Sequence, residues 1–144
     1  MTRYYAPAST GNFTVGFDLL GLALAPDSGA LLGDVLEIDA QKPPEQPLLT
    51  VSGRYAHQLP TDPAHNVVLA CHQAFERLLQ KPLPKFAMHL QKNLPVGSGL
   101  GSSACSIVVA CHALNESFGR PLDEQRLLLL MAECEGGISG SIHF

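Results

Sequence analysis

Pro95-Val96-Gly97-Ser98-Gly99-Leu100-Gly101-Ser102-Ser103-Ala104-Cys105 is the stretch on which the reading of this chain turns. Three glycines alternate with small or apolar residues, and two serines then open an apolar run compatible with a helix. So few side chains leave the backbone N–H groups accessible. Glycine also permits the positive-φ conformations that turn several N–H groups toward one point. The helix that follows adds its own unpaired N–H groups and the positive end of its dipole. Together these features suit a phosphate chain. The alternative is an ordinary tight turn before a helix. One glycine would fit that alternative, whereas three glycines followed by Ser-Ser fit it poorly.

Two common nucleotide loops do not match. A Walker A loop places Lys after its last glycine, and here Ser102 follows Gly101. A dinucleotide fingerprint spaces its glycines G-x-G-x-x-G, whereas these run G-x-G-x-G. The order Pro-x-Gly-x-Gly-Leu-Gly-Ser-Ser-Ala closely resembles the phosphate loop of the GHMP kinases, small-molecule kinases that include galactokinase, homoserine kinase and mevalonate kinase. The resemblance implies that residues 95–105 bind ATP.

Outward from the loop, the chain reads as strands first, then helix, strand, loop, helix and helix. Lys85 to Gln91 alternates as a strand, with Phe86, Met88 and Leu90 on one side. Ser102 to Phe118 reads as a helix closed by Gly119, and Leu122 to Glu135 as a second helix stopped by Gly136-Gly137. Asp62-Pro63 predicts a helix start, with Asp as N-cap and Pro at the first helical position. Val67, Cys71, Phe75, Leu78 and Leu79 then share a face before Pro82. Arg3–Ala8, Asp34–Ala40 and Leu48–Ser52 read as strands, and the three prolines between Gln41 and Pro47 mark a loop. Strands precede helices, so the class is α+β rather than a regular βαβ series.

At 144 residues the chain is expected to be one domain with a real core. Its 46% hydrophobic content is that of a soluble globular protein, and no apolar run approaches the ~18 residues of a membrane span. The N-terminus shows no secretory signal, and a cytoplasmic location is expected. A net charge of −4 and scattered Lys and Arg argue against a nucleic-acid surface. Cys71, Cys105, Cys111 and Cys134 lack C-x-x-C spacing. Cys71-His72 and Cys111-His112 look metal-like, but neighbours on a helix point about 100° apart and rarely share one ion. All four cysteines are read as buried thiols of a reducing compartment, with zinc disfavoured.

Asn12 and Asp18 flank a loop, Ser9 to Asp18, whose composition alone reads as turn chemistry. The resemblance reverses that reading. Ala6-Pro7-Ala8-Ser9-Thr10-Gly11-Asn12 with Gly16-Phe17-Asp18 looks like the N-terminal substrate motif of homoserine kinases, and implies that Asn12 and Asp18 lie near the amino acid. Asp18 then pairs with the ammonium group of L-homoserine. Ser139-Gly140-Ser141-Ile142-His143-Phe144 resembles a later family segment, which places His143 at the same substrate site. The resemblance also implies that Glu135 and Ser103 hold Mg²⁺, with Ser102 the less favoured serine, and that Asn66 and Lys92 contact the adenine. Lys92 reads equally well as a solvated strand end. One departure is Gly137, where relatives often carry Arg.

The implied fold is the N-terminal GHMP domain, an α+β two-layer sandwich resembling domain 2 of ribosomal protein S5. The implied activity is ATP-dependent phosphorylation of the L-homoserine side-chain hydroxyl. The resemblance spans essentially all 144 residues but only the N-terminal half of a homoserine kinase, the C-terminal domain being absent. Two further expectations therefore stand beside it. One is an inactive fragment that only binds nucleotide or a partner subunit and self-associates, as a homodimer for example. The other is a GHMP kinase acting on another small alcohol.

Overall fold

The computed structural model describes residues 1–11, 21–41, 48–84 and 86–139. Six strands and three α-helices appear in the order β1 (Thr2–Pro7), β2 (Ser9–Thr10), β3 (Leu22–Ala23), β4 (Gly33–Asp39), β5 (Leu49–Ser52), α1 (Val67–Leu79), β6 (Ala87–Gln91), α2 (Ser102–Ser117) and α3 (Glu124–Ser139). The main sheet has the order β1-β4-β6-β5. β4 pairs antiparallel with β1 and β6, whereas β5 pairs parallel with β6, so α1 is the crossover of one βαβ unit within a mixed sheet. β2 and β3 form a separate two-stranded ribbon.

Period-two alternation divides the sheet into two faces. Ala6, Leu36, Ile38, Met88 and Leu90 are buried against the helices. The opposite face is polar. Arg3 Nε stands 3.7 Å from the Glu37 carboxylate, and the His89 ring nitrogens bond the hydroxyls of Thr50 and Ser52, both at 2.8 Å. The helices pack on the apolar face only, so the layers number two. α2 is the central helix and touches α1, α3, β1 and β4. Ten of its sixteen residues are buried, among them Ile107, Ala110, Cys111 and Leu114. Each large side chain removed from water in this way contributes ~1.5–3 kcal/mol. Among the described residues no helix is long and apolar enough to cross a membrane.

Several boundaries differ from the sequence expectation. Asp62 caps only a single 3-10 turn, Pro63–His65, where its carboxylate accepts the Ala64 N–H at 2.9 Å. The N-cap of α1 is Asn66, whose side chain accepts the Val68 N–H at 2.9 Å. The buried face of α1 is accordingly Val68, Cys71, Ala74 and Phe75, with Leu78 exposed. α3 does not stop at Gly136-Gly137 but runs to Ser139. Glycine lowers helix propensity without forbidding the helix, so the pair does not end it here. Phe86, Met88 and Leu90 are buried together as expected, although only the last two lie within β6.

Candidate nucleotide-binding site

The glycine stretch folds as a loop that ends on the N-cap of α2. Gly97, Gly99 and Gly101 all have positive φ, at 71°, 77° and 62°. An ideal Cβ on Gly99 would meet nothing within 4 Å, so its glycine is needed for backbone conformation and not for room inside the protein. Gly101 differs, because a Cβ there would collide with the Ser9 hydroxyl oxygen. Gly101 is the N-cap itself and supplies no side-chain cap. The first intrahelical bond runs from the Cys105 N–H to the Gly101 carbonyl at 2.8 Å, so the N–H groups of Ser102, Ser103 and Ala104 precede the helical ladder.

These groups border a cavity of about 490 Å³. Val96 to Gly99 and Gly101 to Ala104 line it, while Pro95, Leu100 and Cys105 do not. The Leu100 carbonyl accepts the Ser9 N–H at 3.1 Å and ties the loop to β2. Cys105 is buried beneath the loop, where its thiol donates to the Ala6 carbonyl at 3.1 Å. Burial pushes that thiol up to about 11, which keeps it neutral. The far wall is largely apolar, with Leu59, Pro60 and Val67. A flat apolar base fits such a wall, and an anion fits the loop end.

At the loop end Ser103 donates its hydroxyl to Glu135 Oε2 at 3.3 Å, bridging the first turn of α2 and the last turns of α3. The Ser102 hydroxyl turns inward and donates to the Leu94 carbonyl at 3.2 Å. A carboxylate bordering an anion site is repulsive to the anion unless a cation stands between them. One hydroxyl and one carboxylate are hard oxygen donors of the kind Mg²⁺ takes alongside phosphates and water. The donor set therefore fits the ion. Gly137, two residues beyond, has open space at its Cβ position.

Asn66 and Lys92 differ from expectation. The Asn66 side chain caps α1 and is buried, and it is the neighbouring His65 and Val67 that face the cavity. Lys92 is not a solvated strand end. It is 1% exposed, and its ammonium donates to Asp34 Oδ2 at 2.6 Å, the Ser102 carbonyl at 2.8 Å and Ser106 Oγ at 2.9 Å. All three donors of the amine are engaged within the fold, so Lys92 lines the cavity without a hydrogen to offer a base. Asp34 completes the network. Its Oδ1 accepts the N–H groups of Asn93 and Leu94 at 2.9 and 3.3 Å, and its Oδ2 accepts the Ser106 hydroxyl at 2.7 Å. Strand β4, the segment after β6 and the first turn of α2 are thus clamped directly beneath the phosphate loop. Asn12, Asp18 and His143 lie outside the described residues.

Sequence reading missed Asp34, Gln58, Leu59 and Pro60. Gln58 Oε1 accepts the Val96 N–H at 2.8 Å and holds the loop entrance. These residues precede the loop by tens of positions and carry no local signature, since parallel pairing of β5 with β6 is what carries the Gln58 segment to the cavity.

A profile of the GHMP kinases N terminal domain matches residues 66–143, more than half of the chain. The chain belongs to the GHMP kinase family. Homoserine kinase from Cytophaga hutchinsonii superposes with a TM-score of 0.74 at 30% identity, over 98% of this chain and 42% of that one. A protein taken to be a homoserine kinase, from Listeria monocytogenes, gives 0.65 at 26% identity, over 93% and 43%. The mevalonate kinase of Methanococcus jannaschii gives 0.69 at 16% identity, a likeness of fold alone, over 98% and 48%. The chain therefore spans less than half the length of these GHMP relatives, and the α+β fold is that of their N-terminal domain.

Proposed function

We propose that this domain holds MgATP for transfer of the γ-phosphoryl group to the side-chain hydroxyl of L-homoserine. The observation that carries the reading is the cavity's construction, with the positive-φ glycine loop and the uncapped start of α2 facing the Ser103–Glu135 pair. The N–H groups of the loop and of Ser102 to Ala104 would hold the β- and γ-phosphates. Ser103 and Glu135 would hold Mg²⁺, which neutralises charge developing on the phosphates. Leu59, Pro60 and Val67 would cover the base. The choice of homoserine rests on the 30% identity to a homoserine kinase and on the Asn12 and Asp18 motif, which with His143 would line the amino-acid site. No general base is needed for a loose, metaphosphate-like transfer.

A second reading is a nucleotide-binding module that works only with a partner surface. Leu128 and Leu129 on α3 favour it, being 66% and 58% exposed. Calorimetry on the chain should show binding of MgADP, and Gly99→Val should abolish it. A branched side chain at φ 77° distorts the loop and projects into the cavity. Unchanged affinity would remove the loop from the site. At the length of its relatives the protein should release ADP in response to L-homoserine. Nucleotide binding without that response, joined to a dimer in light scattering, would select the second reading.

A further inference from the structure

Cys71, Cys111 and Cys134 are far apart in sequence, and one belongs to each helix. The three helices pack against one another, and the three sulfurs meet at their common seam, all within 4.8 Å of one another. None is in a disulfide. Cys71 and Cys111 are fully buried, and Cys134 sits at the rim, 8% exposed. Cysteine often serves as a small buried side chain, and Cys105, hydrogen-bonded to the Ala6 carbonyl and the Asp34 N–H, shows a purely structural use elsewhere in this fold. Three convergent sulfurs offer more than filling, because their spacing is close to that of ligands around one ion. Sulfurs bonded to a metal at ~2.3 Å stand ~3.8–4 Å apart.

We infer that this cluster is a three-coordinate thiolate site for a soft monovalent ion, with Cu(I) the matching ion. The inference is independent of the kinase reading, since no residue of the cluster lines the nucleotide cavity. The adjacent histidines do not complete a tetrahedral set. The His72 ring lies against Phe86 at 5.4 Å and 3.8 Å from the Glu76 carboxylate, and the His112 ring packs edge-on to Tyr4 at 5.9 Å. Among the described residues no other His, Cys, Asp or Glu atom joins the three sulfurs. Structural zinc takes four ligands, whereas an all-sulfur set of three suits Cu(I). Helical scaffolding fixes the sulfurs in advance, so little ordering is required on binding. Entry is by way of Cys134, beside which Arg77 and Glu133 form an exposed pair at 3.8 Å. The Arg77 guanidinium partly offsets the negative charge of three thiolates around a single positive ion. As three S–Cu bonds form, the thiol protons leave to solvent, so affinity rises with pH.

The test is an anaerobic titration of the reduced chain with Cu(I), in competition with a colorimetric Cu(I) chelator. One equivalent should be retained per chain, with thiolate-to-copper absorption in the near ultraviolet and a raised melting temperature. Cys111→Ala removes the sulfur carried by α2 and should weaken retention by at least the ~10–100-fold that losing even an outer-shell partner costs at a metal site. If that variant fails to fold by circular dichroism, Cys134→Ser at the rim provides the same comparison. Retention by the variant equal to that of the parent would overturn the site. So would failure of the parent to hold Cu(I) against the chelator. Zn(II) retained as tightly as Cu(I) would overturn the three-coordinate assignment.

Discussion

In a protein of its relatives' length, Glu135→Gln should lower the proposed homoserine-dependent turnover by on the order of 10²-fold or more, while the domain stays folded. The substitution keeps the shape of the side chain and its reach toward Ser103, 3.3 Å away, and removes only the charge. A divalent ion clamped between protein and phosphates needs that charge far more than it needs a neutral oxygen. The effect should also be visible without turnover. In the parent chain ADP should bind more tightly with Mg²⁺ than in the presence of a chelator, and in Glu135→Gln the difference should largely vanish. Titration calorimetry with and without Mg²⁺ reads this directly. A variant that keeps the full Mg²⁺ dependence would return Glu135 to the role of a helix-surface acid.

Lys92→Met should destabilise the fold by ~3–5 kcal/mol, a large part of the ~5–15 kcal/mol available to a domain. The cost comes less from the lost ion pair than from what stays behind. Asp34 is fully buried, and without the ammonium its carboxylate retains only the Ser106 hydroxyl and two backbone N–H groups. Adding Asp34→Asn to the same chain should recover a good part of the loss, because the stranded charge is then gone. Urea unfolding of the parent, single and double variants measures both numbers. A single-variant loss below ~1 kcal/mol would mean that the pair contributes no more than an exposed one.

The glycine loop running into α2, the strand alternation and the helical core were legible because each is written locally. The glycines of residues 97–101, the alternation of β4 and the apolar run of α2 carry their signals within one element. The start of α1 was misread because Asp62-Pro63 and Asn66 are both good caps, and only packing of Val68 and Cys71 against the core chooses the second. The end of α3 was misread because Gly136-Gly137 weakens a helix without ending it. Lys92 could not be placed from sequence at all. Its environment is made by Asp34 and Ser106, 58 residues before it and 14 after it. The convergence of Cys71, Cys111 and Cys134 was hidden for the same reason, although the divergence of His72 and His112 from any shared ion followed from helix geometry alone.

α2 begins at the glycine loop and continues as the central helix of the domain. The amide hydrogens of its buried middle, from Ile107 to Leu114, should exchange with solvent chiefly when the whole domain opens. A ligand gripped at residues 99–103 therefore holds the entire cooperative unit closed. At a hundred times its dissociation constant it adds ~2.7 kcal/mol to the opening free energy. That protection would extend to β4 and β6, which the Asp34–Lys92 network ties to the first turns of α2.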